Sequence, residues 1–168
     1  LEIPVEQAIQ SLATYKGIKR RFEIKGSVQG VTVIDDYAHH PTEIQAVLEV
    51  LEGWKGRRLF LVFQPHLYSR TSDLAEDFGR VLSHPKLHQS IVTDIFPSRE
   101  AQMPGVTGKI IVDAAEAYGG RLDYISDMNE VLERVKQDLQ PGDVLMTMGA
   151  GNIDRLGDAF IEASKSDI

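Results

Sequence analysis

The sequence has no cysteine, which removes disulfides, thiolate metal ligands and cysteine nucleophiles from consideration. Long apolar runs are also missing. Stretches such as Leu59–Phe63 and Val144–Met148 fall far short of the roughly 20 residues that a membrane-spanning helix needs. The first residues lack the basic region, apolar stretch and small-residue cleavage site of an export signal, so the expectation is a cytoplasmic protein with no membrane contact. Positive charge is in deficit, with 18 Lys and Arg against 25 Asp and Glu and a net charge of -7. That balance disfavours a nucleic-acid surface, which needs clustered cations to displace counterions. The one basic cluster is Lys19-Arg20-Arg21. Finally, no Gly-x-x-x-x-Gly-Lys-Ser/Thr segment occurs, so the phosphate cradle that nucleotide turnover requires is absent from this sequence.

What is present is the make-up of one compact domain: 168 residues, 42% hydrophobic and 26% charged. Behind Pro4, the residues Val5, Ala8, Ile9 and Leu12 recur at helical spacing and predict a helix over 4–14. Two extended runs, 21–28 and 31–35, flank Gln29-Gly30, a tight hairpin turn. Alternation follows. Helices are expected over 41–52, 69–82, 107–118, from a Ser126 cap to 139, and over 152–163, with strands over 58–63, 89–96, 121–125 and 143–147. This rhythm predicts an α/β fold, a Rossmann-like and mostly parallel sheet with helices on both faces and an antiparallel N-terminal hairpin strand. In such sheets ligands collect beyond the carboxyl ends of the strands.

The segments that follow the strands therefore hold the candidate chemistry. After the second strand, Asp35-Asp36-Tyr37-Ala38-His39-His40-Pro41-Thr42-Glu43 places two acids, a phenol and two imidazoles between a strand end and a helix start. A helix start offers free N–H groups and partial positive charge to anions. After the next strand, Gln64-Pro65-His66-Leu67-Tyr68-Ser69-Arg70-Thr71 supplies an imidazole and a guanidinium, the fork geometry that grips a carboxylate. Pro97-Ser98-Arg99-Glu100, leading into Met103–Thr107, forms a weaker signal in a loop placed to lie against the same rim. Gly149-Ala150-Gly151-Asn152 opens the last helix with half of a dinucleotide fingerprint, which more simply indicates close backbone approach to a neighbouring loop or ligand. His84 and His88 lack the further convergent ligands that a metal site needs.

Taken in order, these stretches resemble the C-terminal domain of the Mur ligases, and within them the branch that adds L-alanine to UDP-N-acetylmuramate. The marks are Lys19–Glu23, Asp36–Glu43, Phe63–His66 with Tyr68–Thr71, Pro104–Gly108 and Gly149–Gly151. The resemblance covers roughly Tyr15 to the end and implies that 1–14 is the tail of a central ATPase domain or a linker, with 15–168 the amino-acid-binding domain. It further implies a bacterial, cytoplasmic ATP- and Mg2+-dependent carboxylate-amine ligase of peptidoglycan synthesis. L-alanine and UDP-N-acetylmuramate would be its substrates, and the N-terminal and central domains of the same protein its partners. On the same ground Arg21, Asp36 and His39 are expected to face the nucleotide. Tyr37, His40, His66 and Arg70 are expected to frame the alanine, with His40, His66 and Arg70 in the catalytic role, and the fragment alone is expected to hold no cofactor and catalyse nothing. Leu67 and Asn152 depart from the pattern, standing where some members carry a basic and an acidic residue. A related ligase that recycles murein tripeptide shares the first motif, but Gln64-Pro65-His66 favours the alanine enzyme. A phosphoacceptor receiver domain is the rival from another class. It wants a lysine after the last strand, where Gly149-Ala150-Gly151 stands.

Overall fold

The computed structural model describes residues 3–13 and 17–166. Helix α1 spans Val5–Ala13, and the expected boundary between residues 14 and 15 lies outside the described residues. Strands β1 (Glu23–Val28) and β2 (Val31–Asp36) pair antiparallel. Gln29 and Gly30 join them with φ of +50° and +79°, the positive angles at both central positions that match a two-residue turn to the strand twist. Then follow α2 (Pro41–Leu51), β3 (Leu59–Phe63), α3 (Tyr68–Asp73), α4 (Ala75–Leu82), β4 (Leu87–Val92), α5 (Lys109–Ala115), β5 (Leu122–Tyr124), α6 (Met128–Asp138), β6 (Val144–Met148) and α7 (Asp154–Ser166). The six strands lie in the order β1-β2-β6-β3-β4-β5, with every neighbour after the hairpin parallel. The α/β expectation therefore holds, including its one antiparallel member.

Side-chain alternation sorts the core onto two faces. Leu59, Leu61 and Phe63 of β3 and Val144, Met146 and Met148 of β6 pack with Ile44 and Leu48 of α2, Phe78 of α4 and Ile111 of α5. Phe60, Val62 and Leu145 point the other way, onto Val131 and Val135 of α6 and Leu156 and Phe160 of α7. Because β3 and β6 are covered on both sides, every residue of both is buried and all are apolar but Thr147, whose hydroxyl donates to Asp35 Oδ1 at 2.7 Å, as suits central parallel strands. Among the described residues, no helix is long and apolar enough to cross a membrane.

Several boundaries differ from the periodicity. The first strand starts at Glu23, two residues late, because Arg20 and Phe22 adopt φ of +59° and +47° and so break the extended run. The single helix expected over 69–82 is two, interrupted at Leu74, whose φ of -114° and ψ of 18° lie outside the helical region. Both halves keep their buried residues inward, Thr71 in one and Phe78 in the other, so hydrophobic spacing carries no mark of the break. The strand expected to reach Phe96 ends at Val92. Farther along, Phe96 turns to the segment after β3, its N–H donating to the Pro65 carbonyl at 2.8 Å while the Leu67 N–H donates to the Phe96 carbonyl at 3.0 Å. Asp127, not Ser126, caps α6: its Oδ1 accepts from the N–H groups of Asn129 and Glu130 at 2.8 and 3.1 Å. A carboxylate there gains from the helix dipole as well as from the cap.

Candidate amino-acid site at the strand ends

The carboxyl ends of β2, β3 and β6 meet at one rim, and Arg20 ties two of them together. Its Nε donates to Oδ2 of buried Asp35 at 2.9 Å, and its Nη1 and Nη2 donate to the carbonyls of Gly151 and Gly149 at 2.9 and 2.6 Å. The guanidinium also lies over the Tyr37 ring, 5.1 Å from its centroid. Burial pushes the Asp35 carboxyl up, against hydrogen bonds from Thr147 and Arg20 that pull it down. Asp36 acts as a second clasp. It is 5% exposed, and its two oxygens each accept a main-chain N–H at 2.7 Å, from Phe22 and from Ala38. These contacts hold the segment before β1 against the segment after β2.

Between the clasps lies a cluster of rings and cations. His39 stands edge-on to Tyr37 at 5.3 Å and to His66 at 5.6 Å, centroid to centroid. His66 stacks on Phe96 at 5.9 Å with 13° between the planes. His66 Nδ1 and Arg70 Nη1 are both buried and have no hydrogen-bond partner among the described residues. Burial holds the His66 imidazole below its ordinary value, and the charges of His39, Arg70 and Arg99 depress it further, with Glu100 opposing. Burial and these charges together favour the neutral imidazole. His39 Nδ1 lies 2.9 Å from the Tyr37 carbonyl. Since a carbonyl only accepts, Nδ1 carries a proton in that contact, and in the neutral ring Nε2 then holds the lone pair.

Gln64 braces the floor. Its Nε2 donates to Asn152 Oδ1 at 2.9 Å. A Cβ on Gly151 would fall 2.3 Å from Gln64 Oε1 and 2.6 Å from the Phe96 ring, and one on Gly149 would fall 2.6 Å from the Gln64 carbonyl. The Gly-Ala-Gly segment therefore serves close approach of its neighbours, one of the two meanings open in the sequence.

Of the residues singled out by sequence, Tyr37, His39 and His66 come together, and Arg70 is near enough for its charge to act on His66. His40, expected among them, turns the other way: its Nδ1 lies 2.8 Å from Thr42 Oγ1 and accepts from the Thr42 N–H at 3.4 Å, capping α2. Its ring lines a groove with Pro41, Gln45, Asp77 and Arg80. Adjacent side chains diverge, so only one histidine of the pair faces His66. Arg21 is exposed, and its neighbour Arg20 holds the rim. Arg20, Gln64 and Phe96 were missed as site residues. The positive φ at Arg20 and Phe22 is what decides which arginine turns inward, and side-chain type alone gives no signal of it.

A family model described as Mur ligase, glutamate ligase domain, matches residues 20–151. A UDP-N-acetylmuramate-L-alanine ligase of Salinibacter ruber is 42% identical over 169 residues, covering 99% of this chain and 35% of its own. One of Caldanaerobacter subterraneus is 42% identical over 165 residues, covering 98% and 35%. Among solved structures, the UDP-N-acetylmuramate-alanine ligase of Thermotoga maritima superposes with a TM-score of 0.78 at 24% identity, over 99% of this chain and 34% of that one. A murein peptide ligase of Psychrobacter arcticus gives a TM-score of 0.73 at 21% identity, over 96% and 33%. Both structures share the fold. The chain spans about a third of the length of the curated relatives it matches.

Proposed function

The chain belongs to the Mur ligase family, and from that premise we propose that it is the C-terminal domain of the ATP-dependent ligase that joins L-alanine to UDP-N-acetylmuramate in the bacterial cytoplasm. The observation that carries this reading is the ring cluster of Tyr37, His39 and His66, with Arg70 near enough for its charge to act on His66 and with one buried nitrogen of His66 and one of Arg70 unpartnered among the described residues. Buried polar atoms without partners are rare in native proteins, and a guanidinium near an imidazole suits the carboxylate of a small zwitterion. In this reading Arg70 takes the α-carboxylate, His66 completes its hydrogen bonds without adding charge, and the Nε2 lone pair of His39 accepts from the ammonium group. An amine must lose a proton to act as a nucleophile, and an imidazole is suited to take it.

The phosphate-binding loop is absent from the sequence, and among the described residues no group of three or more His, Asp or Glu side chains stands together to hold a metal ion. ATP with Mg2+, which the family uses to activate the muramate carboxylate, is therefore assigned to the preceding domains of a longer protein. Of the three residues expected to face the nucleotide, Asp36 is occupied by main-chain N–H groups and His39 lies against His66, which leaves exposed Arg21 for that role. The domain's own contribution is orientation. Holding an amine at a fixed distance and angle from an activated carbonyl is worth up to about 7–11 kcal/mol.

Purified alone with ATP, Mg2+, L-alanine and UDP-N-acetylmuramate, the chain is expected to release no phosphate above background, whereas the protein including its preceding domains should release phosphate only when both substrates are present. Alanine-dependent release by the 168-residue chain, or none by the longer protein, would overturn the assignment.

A further inference from the structure

The loop after β4 brings one more cation to the rim. Phe96 fixes one end, stacked on His66 and hydrogen-bonded to the Pro65 and Leu67 backbone. Glu100 fixes the other: its carboxylate accepts from the Ser69 N–H at 3.0 Å and from Ser69 Oγ at 2.5 Å, in the first turn of α3. Between these anchors the chain makes a tight turn, with the Glu100 N–H donating to the Pro97 carbonyl at 3.0 Å and Ser98 at a φ of +53°. Arg99 is carried on that turn. Its side chain is exposed, and no described residue forms a hydrogen bond or ion pair with its guanidinium. Leu67, on the neighbouring segment, is apolar and only 7% exposed, so it supplies no charge. The Arg99 cation nevertheless acts on His66 from the same side of the problem as Arg70, disfavouring its protonation.

We infer that Arg99 is a second carboxylate-binding residue of the amino-acid site, set in place by Glu100 as its positioning residue. A carboxylate offers about four lone-pair positions, and one guanidinium fork satisfies only two of them. Arg70, partly buried on α3, grips one edge. Arg99 is free to swing onto the other when the amino acid arrives, and the anion then screens the two cations from each other and from His66. The 31-residue span from Ser69 to Glu100 makes this contact tertiary, so its loss would release the loop without unwinding α3. The inference rests on the amino-acid-site reading given above.

Steady-state kinetics of the longer protein with L-alanine varied, for Arg99→Ala, Arg99→Lys, Glu100→Gln and Arg70→Ala, test it. Loss of an exposed charge-assisted contact predicts that Arg99→Ala raises the alanine KM by about tenfold with kcat within about twofold. Arg99→Lys should recover part of that loss, and Glu100→Gln should raise KM in the same direction by a smaller factor. By NMR, the His66 titration should move upward in Arg99→Ala, as loss of a neighbouring cation requires, while the KM effect reports the carboxylate contact. An Arg99→Ala KM within twofold of the unsubstituted protein, while Arg70→Ala weakens alanine use, sinks the inference alone. A loss confined to kcat also sinks it. If neither arginine matters, the amino-acid-site reading itself fails.

Discussion

Gly149→Ala is expected to be among the most destabilising single-methyl additions in the chain, lowering the unfolding free energy by about 2–6 kcal/mol. Two costs combine. Gly149 has a φ of +147°, a conformation in which an L side chain costs about 1–3 kcal/mol. The new Cβ would also lie 2.6 Å from the Gln64 carbonyl oxygen, a backbone atom that cannot swing aside, and such overpacking costs about 1–3 kcal/mol more. The segment has little room to adjust. The Gly149 N–H donates to the Asp36 carbonyl at 3.1 Å, and its own carbonyl accepts from Arg20 Nη2. Against a typical domain stability of about 5–15 kcal/mol, the variant should show a clearly lowered urea midpoint. Gly105→Ala is the control, since its φ is +79° but nothing lies within 4 Å of the added Cβ. It should incur the conformational cost alone. Equal midpoints for the two variants would show that the Gln64 contact is not tight.

Arg70→Ala is expected to reduce kcat/KM for L-alanine in the longer protein by about 30-fold to several-thousand-fold, the equivalent of about 2–5 kcal/mol for one partner of a buried charge pair. The same change should leave the urea midpoint unchanged or raise it. One nitrogen of this partly buried side chain, Nη1, is buried without a hydrogen-bond partner among the described residues, and an unpaired buried polar atom opposes folding. Removing it therefore relieves a cost in the absence of substrate. This opposition of activity and stability separates a ligand-binding role from a structural one, in which both would fall together. Arg70→Lys restores the charge without the planar fork and should recover only part of the activity. If Arg70→Ala unfolds the chain as it loses activity, the arginine is serving the fold.

Much of the architecture was legible because burial on both faces writes itself into β3 as an unbroken apolar run and into β6 as one broken only by Thr147, and because Gln29-Gly30 and Gly119 stand at turns with positive φ. The break at Leu74 was not legible, since both resulting helices keep the same inward spacing. For the site, residue type and position after a strand brought out the segments that hold Tyr37, His39, His66 and Arg70, while the roles expected of them, His39 toward the nucleotide and the others toward the amino acid, came from the family resemblance. Direction was harder. In Arg20-Arg21 and His39-His40 the sequence offers two equivalent side chains in succession, and only backbone angles and capping geometry decide which faces the rim. Arg20 turns in on a positive φ, while His40 is drawn away by its own helix cap. Likewise, the contribution of Phe96 and Glu100 depends on tertiary contacts to Pro65–Ser69 that no local pattern encodes.

The most direct measurement is a crystal structure of the longer protein soaked with L-alanine. The account predicts the amino acid at the rim of β2 and β3, its carboxylate within hydrogen-bond distance of Arg70 and its ammonium group beside His39. Alanine bound in that structure with its carboxylate away from Arg70, or held by His40 in the groove between α2 and α4, would contradict it.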